Sequence, residues 1–335
     1  MSSPRVTVLL PVRDGEPFIE DALRSLTGQT LDRFRVLVLD DGSSDGTADR
    51  VGRFCRDDSR VELVRGEHVG IAGTLARGLE LVETEFTARM DADDVSRPER
   101  LASQLAFLDA APELSGCGTG VLAAGRAPTP RSEEYRLWLN SMTSWEKVER
   151  DLFVECPLAH PTFFFRTDAL RKVGGYRDRG WPEDYDLLLR LWRAGYRFVS
   201  LPESLLEWRD GEDRLSRTHP SYSLEAFRRC RIHHLGRSHL LGERPVVIWG
   251  AGPTGKALAR TCLEEGVDVV LFAEVDPRKI GQEINRIPVG TAEEAVRVRD
   301  ALHMGAVARR EGRMSVREMA RSKGLIEGRN FLSVA

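Results

Sequence analysis

Nowhere does this 335-residue chain carry an uninterrupted apolar run near the ~20 residues a membrane-spanning helix needs. Its five cysteines (Cys55, Cys117, Cys156, Cys230, Cys262) are scattered and form no C-x-x-C pair. That excludes a disulfide frame or a cysteine zinc site and suits small buried thiols in a reducing compartment. Excess charge of one sign is also missing, since 49 Lys and Arg stand against 52 Asp and Glu, a net −3. Nucleic acid is therefore offered no general electrostatic attraction and is not an expected partner. No internal repeat or low-complexity tract appears. Met1-Ser2-Ser3-Pro4 runs straight into a strand pattern, so no signal peptide is expected. These absences predict a cytoplasmic protein, at most peripheral at the inner face of the cell membrane.

What the chain does have is acid in a particular place. Asp91, Ala92, Asp93 and Asp94 follow a short β-favouring run over 85–90, and a helix signal follows them. That signal reads as Ser96 at the N-cap, Pro98 in the first turn and Glu99 closing a capping box. Three carboxylates in four residues repel one another. A divalent cation relieves that repulsion, and hard oxygen ligands suit Mg²⁺ or Mn²⁺. An acidic loop before an acidic first turn explains the same residues about as well.

The wider pattern favours a site. Strand-like runs alternate with helical patterns through the first third, which predicts an α/β fold with a mostly parallel sheet. Strands are expected at 6–10, 36–39, 61–64 and 85–90, with helices at 17–26 and 71–82. Three carboxyl ends then carry polar loops: Arg13-Asp14-Gly15, Asp40-Asp41 and Asp91 to Asp94. Open α/β sheets bind ligands at that edge. Downstream, 166–173 and 182–194 read as helices, and 198–201 and 204–208 as two short strands. A basic helical stretch over 221–241 includes Arg228, Arg229, Arg231, His233, His234, Arg237 and His239. It reads as a domain connector, with anionic lipid a second use for its charge. A new α/β unit opens at Pro245. There a strand leads through Gly250, Gly252 and Gly255, a G-x-G-x-x-G, into a helix, and Glu274 and Asp276 follow the next strand.

Taken in order, five short pieces of the first ~240 residues resemble family 2 glycosyltransferases. They are Pro11-Val12-Arg13-Asp14-Gly15-Glu16, Asp40-Asp41-Gly42-Ser43-Ser44-Asp45-Gly46-Thr47, Met90-Asp91-Ala92-Asp93-Asp94, His160-Pro161-Thr162 with Gly174-Gly175-Tyr176, and Glu183-Asp184-Tyr185-Asp186-Leu187. The resemblance implies a GT-A nucleotide-diphospho-sugar transferase fold over 1–220. It also implies a nucleotide-sugar donor and inverting transfer to a carbohydrate or lipid-linked acceptor. Under it, Asp93 is the direct ligand of Mn²⁺ or Mg²⁺, and Asp91 supports the metal shell or holds the ribose. Asp40 or Asp41 accepts the N–H of a pyrimidine base, which favours uridine, while Pro11, Val12, Arg13 and Asp14 line the nucleotide. Asp184 is the general base, oriented by Glu183, and His160 touches acceptor or diphosphate. At a helix N-terminus the dipole would lower the Asp184 pKa. Relatives often place an aromatic residue at Arg13 and Asn at Asp14, a departure that leaves the base contact open. Arg214, Arg217 and His219 are further candidates for a basic loop or a late metal ligand.

Residues 221–244 are read as the connector and 245–335 as a Rossmann-like domain that binds a nucleotide or regulates. Gly250, Gly252, Gly255 and Asp276 are its candidate second nucleotide site. Two rival functions follow: a nicotinamide-dependent sugar oxidoreductase using that tail, or a non-catalytic nucleotide-sugar sensor.

Overall fold

The computed structural model describes residues 3–335 apart from 126, 128, 210 and 212–214. The chain divides into two compact units, Met1–Val148 with Pro157–Thr218, and Glu149–Cys156 with His219–Ala335. Residues 149–156, read from sequence as part of the first domain, group with the second unit. There the Asp151 carboxylate meets Arg317 Nη2 at 2.5 Å, and Arg317 Nε donates to Glu327 at 2.8 Å.

In unit 1 the chain runs β1 (Val6–Val12), α1 (Ile19–Thr27), β2 (Phe34–Asp41), α2 (Thr47–Asp57), β3 (Val61–Gly66), α3 (Gly70–Glu80) and β4 (Phe86–Arg89). Then come β5 (Val95–Ser96), α4 (Arg100–Ala110), β6 (Leu114–Ala124), α5 (Pro130–Asn140) and α6 (Trp145–Asp151). After β7 (Phe164–Arg166), α7 (Thr167–Lys172), α8 (Glu183–Arg193) and β8 (Arg197–Arg209) comes a one-turn helix, α9 (Leu215–Thr218). The eight strands form one sheet in the order β3-β2-β1-β4-β7-β6-β8-β5. Neighbours β3-β2-β1-β4 are all parallel, so their carboxyl ends share one edge, whereas β7 is antiparallel to both β4 and β6. Val6, Val8, Leu9 and Leu10 of β1 are fully buried, as a strand covered on both faces requires.

Two local expectations change. The capping box at Ser96 does not form: α4 begins at Arg100 with Glu99 as N-cap and no side-chain cap. Ser96 instead pairs as β5 with Leu206 of β8, and its hydroxyl accepts from Arg100 Nε at 2.7 Å and Gln29 Nε2 at 3.1 Å. Long-range strand pairing has overridden a locally valid cap. The two strands expected near 198–208 are one, β8, whose ladder to β6 shifts register around Pro202, which has no N–H to donate.

Unit 2 contributes α10 (Leu224–Gly236), β9 (Val246–Trp249), α11 (Pro253–Glu264), β10 (Val269–Ala273), β11 (Glu283–Ile284) and β12 (Ile287–Gly290). It ends with α12 (Ala292–Ala295), β13 (Leu302–Gly305), α13 (Arg310–Ser322) and β14 (Phe331–Ser333). Its sheet is ordered β11-β12-β10-β9-β13-β14, so the chain switches direction beside β9, where the glycine-rich turn leaves the sheet. Several charges of the basic helix α10 have partners within this unit. Arg228 donates to Thr261, Arg231 to the Val334 carbonyl, and His233 and Arg237 face Glu265. No helix among the described residues is long and apolar enough to cross a membrane.

The tightest backbone approach in unit 2 is at Gly255, where a Cβ would lie 1.9 Å from the Gly250 carbonyl oxygen. Gly255→Ala is expected to destabilise the protein by about 1–3 kcal/mol, the usual range for overpacking. Denaturant unfolding at unchanged m-value checks this; a midpoint equal to wild type would contradict the close approach.

Candidate functional site

The β2-β1-β4 edge assembles the site because three parallel strands end there together, with Val12 in register with Asp40 and Met90 N–H donating to the Leu9 carbonyl. The first two loops lock onto each other. Asp14, at φ 49, accepts from Ser44 N–H at 2.7 Å and donates its own N–H to Ser43 Oγ at 3.0 Å. The Ser44 N–H holds the Asp14 carboxyl below its usual range. Asp14 is thus a loop clamp, with its carboxylate already engaged. Asp41 is saturated as well. Although burial opposes its ionisation, donors from Val69 N–H, Thr74, His68 and Gly70 N–H hold it ionised at the start of α3. Of the expected base-reading pair only Asp40 retains capacity, being buried, accepting from Ser43 N–H at 3.0 Å and standing 3.5 Å from Arg65.

Arg13 lies at the rim, where its Nη1 donates to His68 Nε2 at 2.8 Å, and His68 Nδ1 faces Asp41 at 2.7 Å. A guanidinium only donates, so this network assigns Nε2 as acceptor and Nδ1 as the protonated nitrogen. Pro11 and Val12 end β1 just before Arg13.

The acidic cluster is supported from beneath. Ligand oxygens of Asp91, Asp93 and Asp94 lie within 4.8 Å of one another. Asp91 Oδ1 meets Arg89 Nη2 at 2.5 Å, and Asp94 Oδ1 accepts the Arg209 N–H at 2.9 Å. Arg100, fully buried, donates to the Arg89 and Pro161 carbonyls. Burial pushes its pKa down to about 10, against the favourable charge of Asp94. Part of the repulsion expected to call for a cation is therefore met by the protein itself. Asp93 is only partly buried and completes the cluster. Three hard oxygen donors at this spacing fit Mg²⁺ or Mn²⁺.

Across Arg89 lies the second acidic group. Arg89 N–H donates to the Phe163 carbonyl, which draws the short turn at His160, Pro161 and Thr162 against β4. His160 is buried, with Nε2 3.2 Å from the Tyr176 hydroxyl and Nδ1 3.4 Å from Glu183 Oε1. Glu183 and Asp184 open α8. Burial, with the neighbouring Glu183 charge adding to it, pushes the Asp184 carboxyl up to about 6, partly opposed by His160 and Arg89. The helix dipole expected to lower it is outweighed. Asp186, two residues on, is structural: it takes Trp181 Nε1 at 3.0 Å and pairs with Arg190 at 2.7 Å.

Arg89, Arg100 and His68 were not expected from sequence as part of this edge, and Tyr176 was named only within the Gly174-Gly175-Tyr176 piece. Arg89 had a signal, a charge at the end of the short strand that leads into the acidic run. His68 had none, because its partners are set by the fold. Arg214 lies outside the described residues. Arg217 donates to the Gly211 carbonyl, and His219 Nδ1 accepts the Ser221 N–H.

In unit 2, Gly250 takes φ 109 and Gly252 caps α11. Glu274 already accepts the Ala251 N–H of that turn at 3.1 Å and Lys279 Nζ at 2.9 Å, and Asp276 pairs with Arg278 at 2.9 Å. The ribose-binding acid expected there is Glu274 or Asp276, and both have protein partners.

The chain matches the model of the family "Glycosyl transferase family 2" over residues 7–174. It is 27% identical over 245 residues to EpsE of Bacillus subtilis (strain 168), named as a glycosyltransferase, covering 69% of this chain and 83% of that protein. It is also 27% identical over 200 residues to the amylovoran biosynthesis glycosyltransferase AmsE of Erwinia amylovora, covering 59% and 73%. Among solved structures, S. aureus TarS 1-349 in complex with UDP-GlcNAc superposes with TM-score 0.55 at 18% identity, covering 70% of this chain and 68% of that one. The Pyrobaculum calidifontis mannosyltransferase PcManGT in complex with GDP-Man and Mn²⁺ gives 0.51 at 23%, covering 70% and 63%. At those identities the structures speak for the fold, a GT-A sheet, and the family match covers half the chain. With the curled mixed sheet, its acidic carboxyl edge and this match in place, the chain belongs to glycosyl transferase family 2 and is an enzyme of that family.

Proposed function

We propose that the protein is an inverting glycosyltransferase that moves a sugar from a nucleotide-diphospho-sugar, with UDP as the favoured carrier, to an acceptor hydroxyl in polysaccharide or glycoconjugate synthesis. One observation carries the reading. Asp91 of the acidic cluster meets the buried guanidinium of Arg89, which also acts electrostatically on Glu183 and Asp184 at the start of α8. A relative that acts in amylovoran biosynthesis and a neighbour that binds UDP-GlcNAc support the acceptor and donor classes.

In this reading Asp93 binds a divalent cation directly, flanked by Asp91 and Asp94, as the neighbour with Mn²⁺ supports. When bound, that ion neutralises charge growing on the departing diphosphate. Asp40 accepts the imide N–H of the base, with Pro11, Val12 and the planar Arg13 as its wall. Asp184 takes the acceptor proton at its carboxylate while the acceptor oxygen attacks the anomeric carbon from the face opposite the diphosphate. A base near 6 is ionised at neutral pH and more basic than an ordinary aspartate, which suits it to this step better than a dipole-lowered carboxylate. Glu183, held by His160, raises that basicity by its charge. The second unit is read as a nucleotide-binding or regulatory module around Gly250, Gly252 and Gly255, a role supported by its turn at the switch point.

Thermal shift against a nucleotide-sugar panel with Mn²⁺, followed by sugar release from the best binder, tests the function. UDP-sugars are expected to bind, Asp93→Ala to cut turnover roughly 10²–10⁴-fold, and a chelator to do the same to wild type. Full turnover in chelator would remove the cation from the account.

Asp184→Asn is expected to lower turnover by about 10²–10⁴ while raising the melting temperature at pH 7.5. Because the folded carboxyl titrates near 6 and the unfolded one near 4, the native state loses stability as pH rises through that window. Removing the charge removes that penalty above pH 6 and changes nothing at pH 3.5. A variant less stable than wild type at pH 7.5 would contradict the raised pKa.

A further inference from the structure

Three aromatic rings in unit 1 take part in none of the roles above. Tyr135 and Trp138 lie one turn apart on α5, and their rings stack with centroids 5.8 Å apart and planes 26° from parallel. The Tyr135 ring also stands 6.5 Å from that of Trp208, near the end of β8. Tyr135 is 37% exposed, whereas Tyr176 and Tyr185 are buried. Other side chains already anchor α5 to the sheet. Leu139 is buried, Arg136 donates to the Val121 carbonyl of β6 at 3.1 Å, and Asn140 bonds both the N–H and the carbonyl of Val121.

Topology places these rings beside the acidic loop. Because β7 is antiparallel to both β4 and β6, and β8 is parallel to β6, β6 and β8 run to the same edge as β4. The N–H that Asp94 Oδ1 accepts at 2.9 Å belongs to the peptide joining Trp208 to Arg209, and Glu207 pairs with Val95. The base-binding residues proposed above, Pro11, Val12 and Asp40, end β1 and β2. In the sheet order those strands lie on one side of β4 and β8 on the other. The rings are therefore misplaced for the base and well placed for a group approaching from the far side of the acidic loop.

We propose that Tyr135, Trp138 and Trp208 form a stacking platform for a pyranose ring of the acceptor. Aromatic faces are electron-rich, and a pyranose offers them a face of weakly positive C–H groups while its hydroxyls point outward from the rim. On the same helix Glu133 and Arg136, paired at 2.9 Å, supply polar partners for such hydroxyls, which a lipid tail does not have. The inference rests on the transferase reading for calling this sugar the acceptor; the stacking of a pyranose does not.

The experiment uses the full chain and a panel of methyl pyranosides (glucoside, galactoside, mannoside and N-acetylglucosaminide) as probes. Proton–nitrogen NMR follows the indole N–H signals of Trp138, Trp208 and Trp249, each assigned by its loss in a Trp→Phe variant. The Trp138 and Trp208 signals are expected to move with glycoside, while Trp249, buried in unit 2, stays in place. Tyr135→Ala is expected to weaken the apparent Kd by about tenfold. Transfer from the best-binding nucleotide-sugar with Mn²⁺ to the best-binding glycoside is then measured. Tyr135→Ala is expected to raise the acceptor KM about tenfold with a smaller change in donor KM, and Tyr135→Phe, which keeps the ring, to restore it. Glycosides that move neither indole, or that bind Tyr135→Ala as tightly as wild type, overturn the platform. Binding to phosphatidylglycerol vesicles that Tyr135→Ala abolishes, with the indoles unmoved by glycoside, overturns it in favour of a membrane contact. Should Trp208→Phe fail to fold, the Trp138 signal and Tyr135→Ala still decide. Wild type whose indoles respond to glycoside but which transfers and releases no sugar overturns the transferase reading and leaves the platform standing.

Discussion

Carboxylates crowd the carboxyl edge of the unit 1 sheet, and one of them, Asp91, rests on the buried guanidinium of Arg89. Asp91 meets it directly at 2.5 Å, and its charge also acts on Glu183 and Asp184. Arg100, buried one layer further in, carries the Arg89 and Pro161 carbonyls and faces Asp94 electrostatically. The acid is thus balanced in part before any ligand arrives. That balance sets the surroundings of the Asp91–Asp94 cluster and of Asp184, a carboxyl raised to about 6. Both follow from burial weighed against fixed charge.

How much of this was legible in the chain depends on distance along it. The strand-to-loop rhythm of the first ninety residues and the three acidic loop ends are local patterns, and the parallel β2-β1-β4 edge places them together as read. Roles settled by partners far away in sequence were not legible. Asp41 looked like a base-reading acid until Thr74 and His68, 33 and 27 residues on, took its oxygens. Ser96 satisfied every rule for a helix cap, yet β8 recruits it as a strand. Asp184 looked like a carboxylate lowered by a helix dipole, but burial and Glu183 raise it. In each case a sound local rule met a stronger tertiary term.

The second unit shows the same tension. Its glycines are required by geometry, since Gly255 lies against the Gly250 carbonyl. The acid expected to greet a ribose is partly spent on the turn itself, through Ala251 N–H and Lys279. A motif of this kind reports a backbone shape first and a ligand second. In the basic helix α10 and its cap, Arg231, His233 and Arg237 hold the unit's own carbonyl and carboxylate groups.

The central claim is that donor and base occupy one edge. A crystal structure of the full chain with UDP and Mn²⁺, with anomalous scattering locating the metal, tests it most directly. The account predicts one metal peak at direct-ligand distance from Asp93, with Asp91 still on Arg89 and the terminal phosphate opening toward Asp184. A diphosphate seated elsewhere, for instance at the Gly250–Gly255 turn, or a metal peak away from Asp91, Asp93 and Asp94, would contradict it.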